Sequence, residues 1–316
     1  MNINKRILFC FIALLMVGSV SLYMVYHSPK YQEQEQMRHV QTVHEKNTRL
    51  PYTYLNNVIA QSGAACSVYY KSLKSGEVFY NFSGKMPAGD LIRPYVAAAV
   101  LHEVDAGTLA MDTVYILDEA DRKPDSPVLA KVPTGSELTL QNLVEDMLLE
   151  NDTTALYKLV DIAGLDTIND WLHKKEFVDT VMGTHDLPKE DGAEEQRNLK
   201  EKPQFSYTSV NDTVNLFSSL SGGTCVNSKA DAYLLTLLTK EPRHNLLGAL
   251  LPKDVKIAGQ ESTRGAVLGT GGIVEGKEKY ILVVMVDKAI RPAETRKTIN
   301  QISSIIFNTV SDKEVF

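Results

Sequence analysis

Cysteine and tryptophan are scarce in this chain: three Cys and one Trp in 316 residues. Cys10, Cys66 and Cys225 are too few and too scattered for a disulfide framework or a zinc cluster, so folding has to rest on apolar burial. Cys66 and Cys225 are able to pair, but two separate buried thiols are the simpler expectation. An excess of one charge is missing too. Lys and Arg total 33 against 39 Asp and Glu, a net −6. That leaves no basic stripe for phosphates, and no nucleic-acid partner is expected. The seven histidines show no ligand or triad spacing. His39 and His44 lie five apart and do not stack on one helix face. The Gly269–Thr270–Gly271–Gly272 run lies among strands rather than before a helix, so it is no dinucleotide loop. Its glycines are read as allowing close strand packing. No metal and no cofactor are expected, and there is no internal repeat.

What remains is an ordinary globular composition, 44% hydrophobic and 23% charged, long enough for one large domain or two modest ones. The N-terminus departs from it. Lys5 and Arg6 precede an uncharged run at 7–26, long enough to cross about 30 Å of hydrocarbon. The positive-inside rule then puts residues 1–6 in the cytoplasm and everything after the run outside. No A-x-A site closes the run, so an uncleaved signal anchor is expected rather than a cleaved signal peptide with secretion. Residues 27–50 are polar and read as a linker. A domain at 51–316 follows.

The domain is organised around residues 87–107. Val96, Ala97, Val100, Leu101 and Val104 have the spacing of a helix face turned to a core. Pro94 fits only the first turn, so the helix starts near Asp90, and Gly107 is placed to end it. Two β-rich runs, 66–73 and 77–82, flank a hairpin signal at Lys74–Gly76. Helices are expected at 54–60, 140–149 with Thr139 as N-cap, 152–163 stopped by Gly164, 166–175, 209–220 and 228–239. The last of these carries a capping-box-like Ser228/Asp231 pair. A short strand at 256–258, long ones at 266–274 and 280–286, and an amphipathic helix at 294–310 close the chain. Residues 183–206 form a long charged loop. Strands at both ends and helices between them predict an α+β fold. The N- and C-terminal strands share one antiparallel sheet flanked by helices, beside an all-helical lobe.

Three stretches in order carry a resemblance to the class A β-lactamases and the wider penicillin-recognising serine hydrolases. They are MPAGDLIRPYVAAAVLHEVDAGTLAMDTV, LTLQNLVEDMLLENDTTALYKLVDIAGLDTINDWL, and LPKDVKIAGQES with AVLGTGGIVEGKEKYILVVMVD. The resemblance covers about residue 54 to the C-terminus. It implies a β-lactamase/transpeptidase-like fold with a cleft between an α/β lobe and a helical lobe. It also implies where catalysis would sit, and there the residues differ. The family's S-x-x-K falls on Asp90 and Arg93, its S-D-N serine and asparagine on Glu150 and Asp152, and its K-T-G on Gln260, Glu261 and Ser262. A shifted alternative for the last uses Gly269–Thr270–Gly271. Glu190, Glu194 and Glu195 are candidates for a deacylating carboxylate.

Arg93 cannot act as a base, because a guanidinium keeps its proton. Asp90 and Arg93 are three apart, close enough to pair on one helix, and an Asp90–Arg93–Glu150 ion network is expected in place of Ser, Lys and Ser. Asp90 also suits a helix N-cap. A metal on Asp90, Glu150 and Asp152 is disfavoured by the adjacent arginine. The expectation is a membrane-anchored extracytoplasmic pseudoenzyme that binds or scaffolds near the cell wall. Its partner would be a cell-wall or β-lactam-like ligand or another envelope protein. The alternative is a divergent serine hydrolase, a β-lactamase or D-Ala-D-Ala carboxypeptidase, using Ser83, Ser126 or Ser262.

Overall fold

Nearly every residue of the C-terminal run KYILVVMVD is apolar, the signature of a strand covered on both faces, and the computed structural model builds the domain around it. The structure describes residues 49–61, 65–81, 84–123, 126–184, 204–240, 245–263 and 267–311. The expected tail, the anchor at 7–26, nearly all of the linker and most of the 183–206 loop, with Glu190, Glu194 and Glu195, lie outside them, as does Ser83. Among the described residues no helix is long and apolar enough to cross a membrane.

The chain runs α1 (Tyr52–Ala60), β1 (Ala65–Ser72), β2 (Val78–Asn81) and β3 (Met86–Pro87), then a 3-10 turn Gly89–Ile92 that leads into α2 (Arg93–Asp105). Next come β4 (Val114–Ile116), β5 (Glu137–Thr139), α3 (Leu140–Leu149), α4 (Thr153–Ala163) and α5 (Leu165–Lys174). Then follow β6 (Tyr207–Thr208), α6 (Val210–Gly222), α7 (Ser228–Lys240), β7 (Lys256–Ser262), β8 (Leu268–Glu275), β9 (Lys279–Asp287) and α8 (Pro292–Ser311). The main sheet has the order β2-β1-β9-β8-β7, and all its pairings are antiparallel. The N-terminal hairpin therefore docks onto the C-terminal strands, as the sequence order predicts.

Alternation along β9 explains its composition. Tyr280, Leu282, Val284 and Val286 join a core with Leu55 of α1 and Ile299, Ile302 and Ile306 of α8. Ile281, Val283 and Met285 join the core of the helical lobe. Successive side chains point to opposite faces, so a strand between two cores has almost no position left for a polar residue.

The structure corrects several expectations. α2 is two-faced only in its last turn: Tyr95, Ala98 and Ala99 are buried along with Val96, Ala97, Val100 and Leu101 of the predicted stripe, while Val104 is half-buried and Asp105 exposed. From Arg93 to Leu101 the helix is packed on every side, and such a stretch carries little amphipathic pattern. The strand expected at 256–258 extends to Ser262, since its polar residues Gln260, Glu261 and Ser262 are all buried. Asp90 caps nothing; neither the 3-10 turn nor α2 has a side-chain N-cap. At α7 the cap is Asn227, whose Oδ1 accepts from Lys229 N and Ala230 N at 2.9 Å each. Ser228 plays no such part. Asp231 instead accepts from Cys225 N and Val226 N at 2.9 and 3.0 Å. Thr139, Gly107 and Gly164 act as expected: Thr139 caps α3, Gly164 follows α4 at φ 87, and Gly107 has φ 76. Cys66 and Cys225 are both free and buried.

Candidate functional site

The 3-10 turn is set down on the edge of the sheet by one glycine. Gly89 has φ +51, in the left-handed region, and a Cβ there would run into Ser262 Oγ of β7. Any side chain would lift the turn off the strand. Leu91 fills the space over Gly269 of β8, where a Cβ would stand 3.0 Å from its Cδ1. The turn thereby delivers Asp90 and Arg93 to the junction of the sheet with the helical lobe.

Arg93 is fully buried, the largest such side chain among the described residues. Its Nε donates to Asp90 Oδ1 at 2.9 Å, and Nη2 stands 2.8 Å from the same oxygen as the closest approach of the ion pair. Nη1 donates to the main-chain carbonyl of Asp152 at 2.8 Å, and Nη2 to Thr153 Oγ1 at 3.3 Å. A buried guanidinium is tolerated only when paired and hydrogen-bonded, and this one is engaged on every nitrogen.

The other side of the site is the start of α4. Asp152 Oδ1 accepts from Ala155 N at 3.0 Å, capping the helix. Its Oδ2 accepts from Val128 N and Leu129 N at 3.0 and 2.8 Å. Thr154 continues the tie: its Oγ1 accepts from Lys123 N at 2.9 Å and bonds Ser126 Oγ at 2.6 Å, while its N–H donates to Ser126 Oγ at 2.7 Å. Three consecutive residues of α4's first turn thus hold the buried arginine and the 118–136 segment together. From the strand, Gln260 Nε2 donates to Asn151 Oδ1 at 2.8 Å. Asn151 has φ 53, a left-handed conformation that Asn tolerates better than most residues.

The predicted residues therefore separate. Asp90, Arg93, Asp152, Gln260 and Ser262 come together around the turn. Glu150 does not join: it is exposed, no ion pair links it to Arg93, and the expected third member of the network is replaced by the Asp152 carbonyl and Thr153 hydroxyl. Glu261 lies on the opposite face of β7, where its Oε1 accepts from Leu246 N and Leu247 N at 2.8 and 2.9 Å; strand alternation forbids it the side shared by Gln260 and Ser262. Asn151 and Thr153 were missed, although they flank a predicted position. The signal for them was the N-cap preference of Asp152, which turns that side chain to backbone N–H groups and frees its neighbours. Ser126 is committed to Thr154, and Ser262 Oγ has no hydrogen-bond partner. Neither has a base. No group of three or more His, Cys, Asp or Glu able to hold a metal occurs among the described residues.

Asp146, in the last turn of α3, also escaped notice. Burial first, then the charges of Asp152, Glu150 and Glu145, push its carboxyl up to about 6. The folded protein then binds that proton more tightly than the unfolded chain, so its stabilising contribution is full below the unfolded value and is lost as pH rises through about 6. Asp146→Asn is expected to raise the urea midpoint at pH 7.5 and to leave it nearly unchanged at pH 4. Equal effects at both pH values would refute the assignment.

With this geometry in view, comparison with known proteins is informative. The profile of the Beta-lactamase enzyme family matches residues 50–310. No curated protein matches the sequence. Among solved structures, the chain is similar to a beta-lactamase from Sphaerobacter thermophilus, with 20% identity, TM-score 0.72 and coverage of 81% of this chain and 96% of that one. It is similar to a beta-lactamase from Chitinophaga pinensis at 20% identity and TM-score 0.72, covering 82% and 98%. PBP-A matches at 20% identity and TM-score 0.73, covering 82% and 95%. At such identities the likeness is one of fold, an α+β architecture with an antiparallel sheet.

Proposed function

The chain belongs to the Beta-lactamase enzyme family, and on that premise we propose that it is a member without the serine acylation machinery, acting by binding. The observation that carries this reading is Arg93. It stands one turn from Asp90, fully buried, with every nitrogen donating. A nucleophilic hydroxyl needs a neighbouring proton acceptor; Asp90 offers no hydroxyl to acylate, and the Arg93 guanidinium cannot take up a proton.

In this reading Asp90 and Arg93 occupy the S-x-x-K positions, and the triplet facing the cleft is Asn151–Asp152–Thr153, one residue beyond the register inferred from sequence. The bonds Asn151–Gln260 and Arg93–Thr153 support that shift. Gln260 and Ser262 take the strand positions. The domain is held outside the membrane by residues 7–26 with the N-terminus in the cytoplasm. There it binds a cell-wall ligand or another envelope protein, or scaffolds it, through the inherited cleft.

A mutant of PBP-A is described as an acyl-enzyme complex with penicillin G, which makes a chromogenic penicillin the natural probe. We expect the purified full-length protein to show no mass adduct and no ring-opening absorbance, and the Asp90→Ser/Arg93→Lys double variant to be equally inert. A covalent adduct on the native protein would overturn the proposal.

One observation favours a second reading, a serine hydrolase with relocated chemistry. Lys71 Nζ on β1 donates to Ser218 Oγ on α6 at 3.1 Å. This pair lies across the sheet from the turn: Lys71 aligns with Ile281, Ile273 and Ala258, four residues along β7 from Ser262. Peptide mapping of any adduct to Ser218 would establish this reading.

A further inference from the structure

A pocket of about 420 Å³ opens in the helical lobe, where the end of α2 meets the beginnings of α3 and α7. That volume lies in the lower part of the range for small-molecule sites. It is separate from the turn carrying Arg93: Leu101, its deepest contribution from α2, is eight residues farther on, roughly 12 Å along the helix axis.

Its floor is apolar, made by Leu101, Val104, Met111 and the ring of Tyr233. The tyrosine is fixed by its Oη, which donates to Glu145 Oε1 at 3.3 Å. The rim carries two opposite charges, Asp105 and Lys229, with the amides of Gln141 and Asn227 between the helices. Both charged side chains are exposed, and neither has an ion-pair partner among the described residues. The helix termini reinforce this polarity. Asp105 is the last residue of α2, at the negative end of its dipole, and Lys229 stands in the first turn of α7, at the positive end. Asp231 does not cancel Lys229, because its carboxylate is occupied by Cys225 N and Val226 N.

An apolar floor between two unpaired charges of opposite sign matches a small zwitterion with an apolar body. We propose that this pocket binds apolar dipeptides, with the ammonium at Asp105, the carboxylate at Lys229 and the side chains on Met111 and Tyr233. The site is independent of the cleft and stands whether or not the cleft is inert.

The test is isothermal titration of the full-length protein with L-leucyl-L-leucine, beside its N-acetylated, C-amidated form. Binding of the free dipeptide and at least about 10-fold weaker binding of the blocked form are expected, as loss of two charge contacts requires. Asp105→Asn and Lys229→Gln, both at exposed positions, should each weaken binding several-fold without lowering the melting temperature, since each removes a charge opposed by its helix dipole. Ala230→Phe, which fills the pocket wall, should abolish it, and its melting curve reports whether the fold is intact. Absence of heat at millimolar dipeptide, equal binding of the blocked form, or undiminished binding by a folded Ala230→Phe protein would each overturn the proposal.

Discussion

Arg93→Met is expected to lower the stability of the domain by about 3–5 kcal/mol, the range for breaking a buried ion pair from one side. Methionine fills most of the volume, so the loss is electrostatic rather than a cavity effect. It takes the guanidinium away from the Asp90 carboxylate, which is only 6% exposed, and removes the donors to the Asp152 carbonyl and Thr153 hydroxyl. Urea denaturation followed by circular dichroism measures the drop. The same physics predicts partial recovery when both charges go: Asp90→Leu/Arg93→Met should be more stable than Arg93→Met alone, because no buried charge is then left without its partner. Arg93→Lys should fall between, since an ammonium keeps the charge but not the planar fork that reaches three acceptors at once. A single variant losing under about 1 kcal/mol would mean the pair is solvated, contrary to its burial.

The second large effect is at Asp152. Alanine there removes the cap of α4 and leaves Ala155 N, Val128 N and Leu129 N without an acceptor. A lost cap contributes about 1 kcal/mol, and each buried N–H left unsatisfied adds about 1–3 kcal/mol less whatever water recovers, so about 2–4 kcal/mol in all is expected. Asp152→Asn is informative because the side chain is isosteric. One oxygen serves the cap or the loop but not both, and the amide's own N–H groups then face donors. It should lose more than half of the alanine effect. Thermal melts give the stability, and proteolysis within 118–136 reports whether that segment is released. If Asp152→Asn matched the native protein, the carboxylate would not be the tie between loop and helix.

These effects show which parts of the site were legible in advance. Asp90 and Arg93 were, because a spacing of three on one helix brings two side chains together wherever the helix is placed. A helix beginning at about Asp152 was expected, but its role as the N-cap of α4 was not read, although its residue type favours that position. Glu150 was misplaced because the resemblance set it across the cleft from Arg93, whereas the turn at Asn151, φ 53, leaves Glu150 at the surface. Glu261 belongs to the expected triplet with Gln260 and Ser262, but which side of the strand each takes cannot be assigned until one knows what covers the two faces. Asp146 was invisible: nothing in LVEDMLL shows that this carboxyl will be buried, and burial more than its acidic neighbours Asp152, Glu150 and Glu145 raises its proton affinity.

By itself the sequence determined the order of the main helices and strands, the helix cap at Thr139, the shared sheet of the two chain ends, and the pairing of Asp90 with Arg93. All of these follow from local rules: spacing, capping chemistry and alternation act over a few residues and need no knowledge of the rest. The tertiary structure alone decided that α2 is buried all round from Arg93 to Leu101, that Gly89 sits against Ser262, that Asn151 and Thr153 rather than Glu150 meet Gln260 and Arg93, and that opposite charges flank a pocket at the far end of α2. Each of those depends on segments 50 to 170 residues apart in the chain. Such contacts are set by how whole layers pack, and no short window of sequence carries that information.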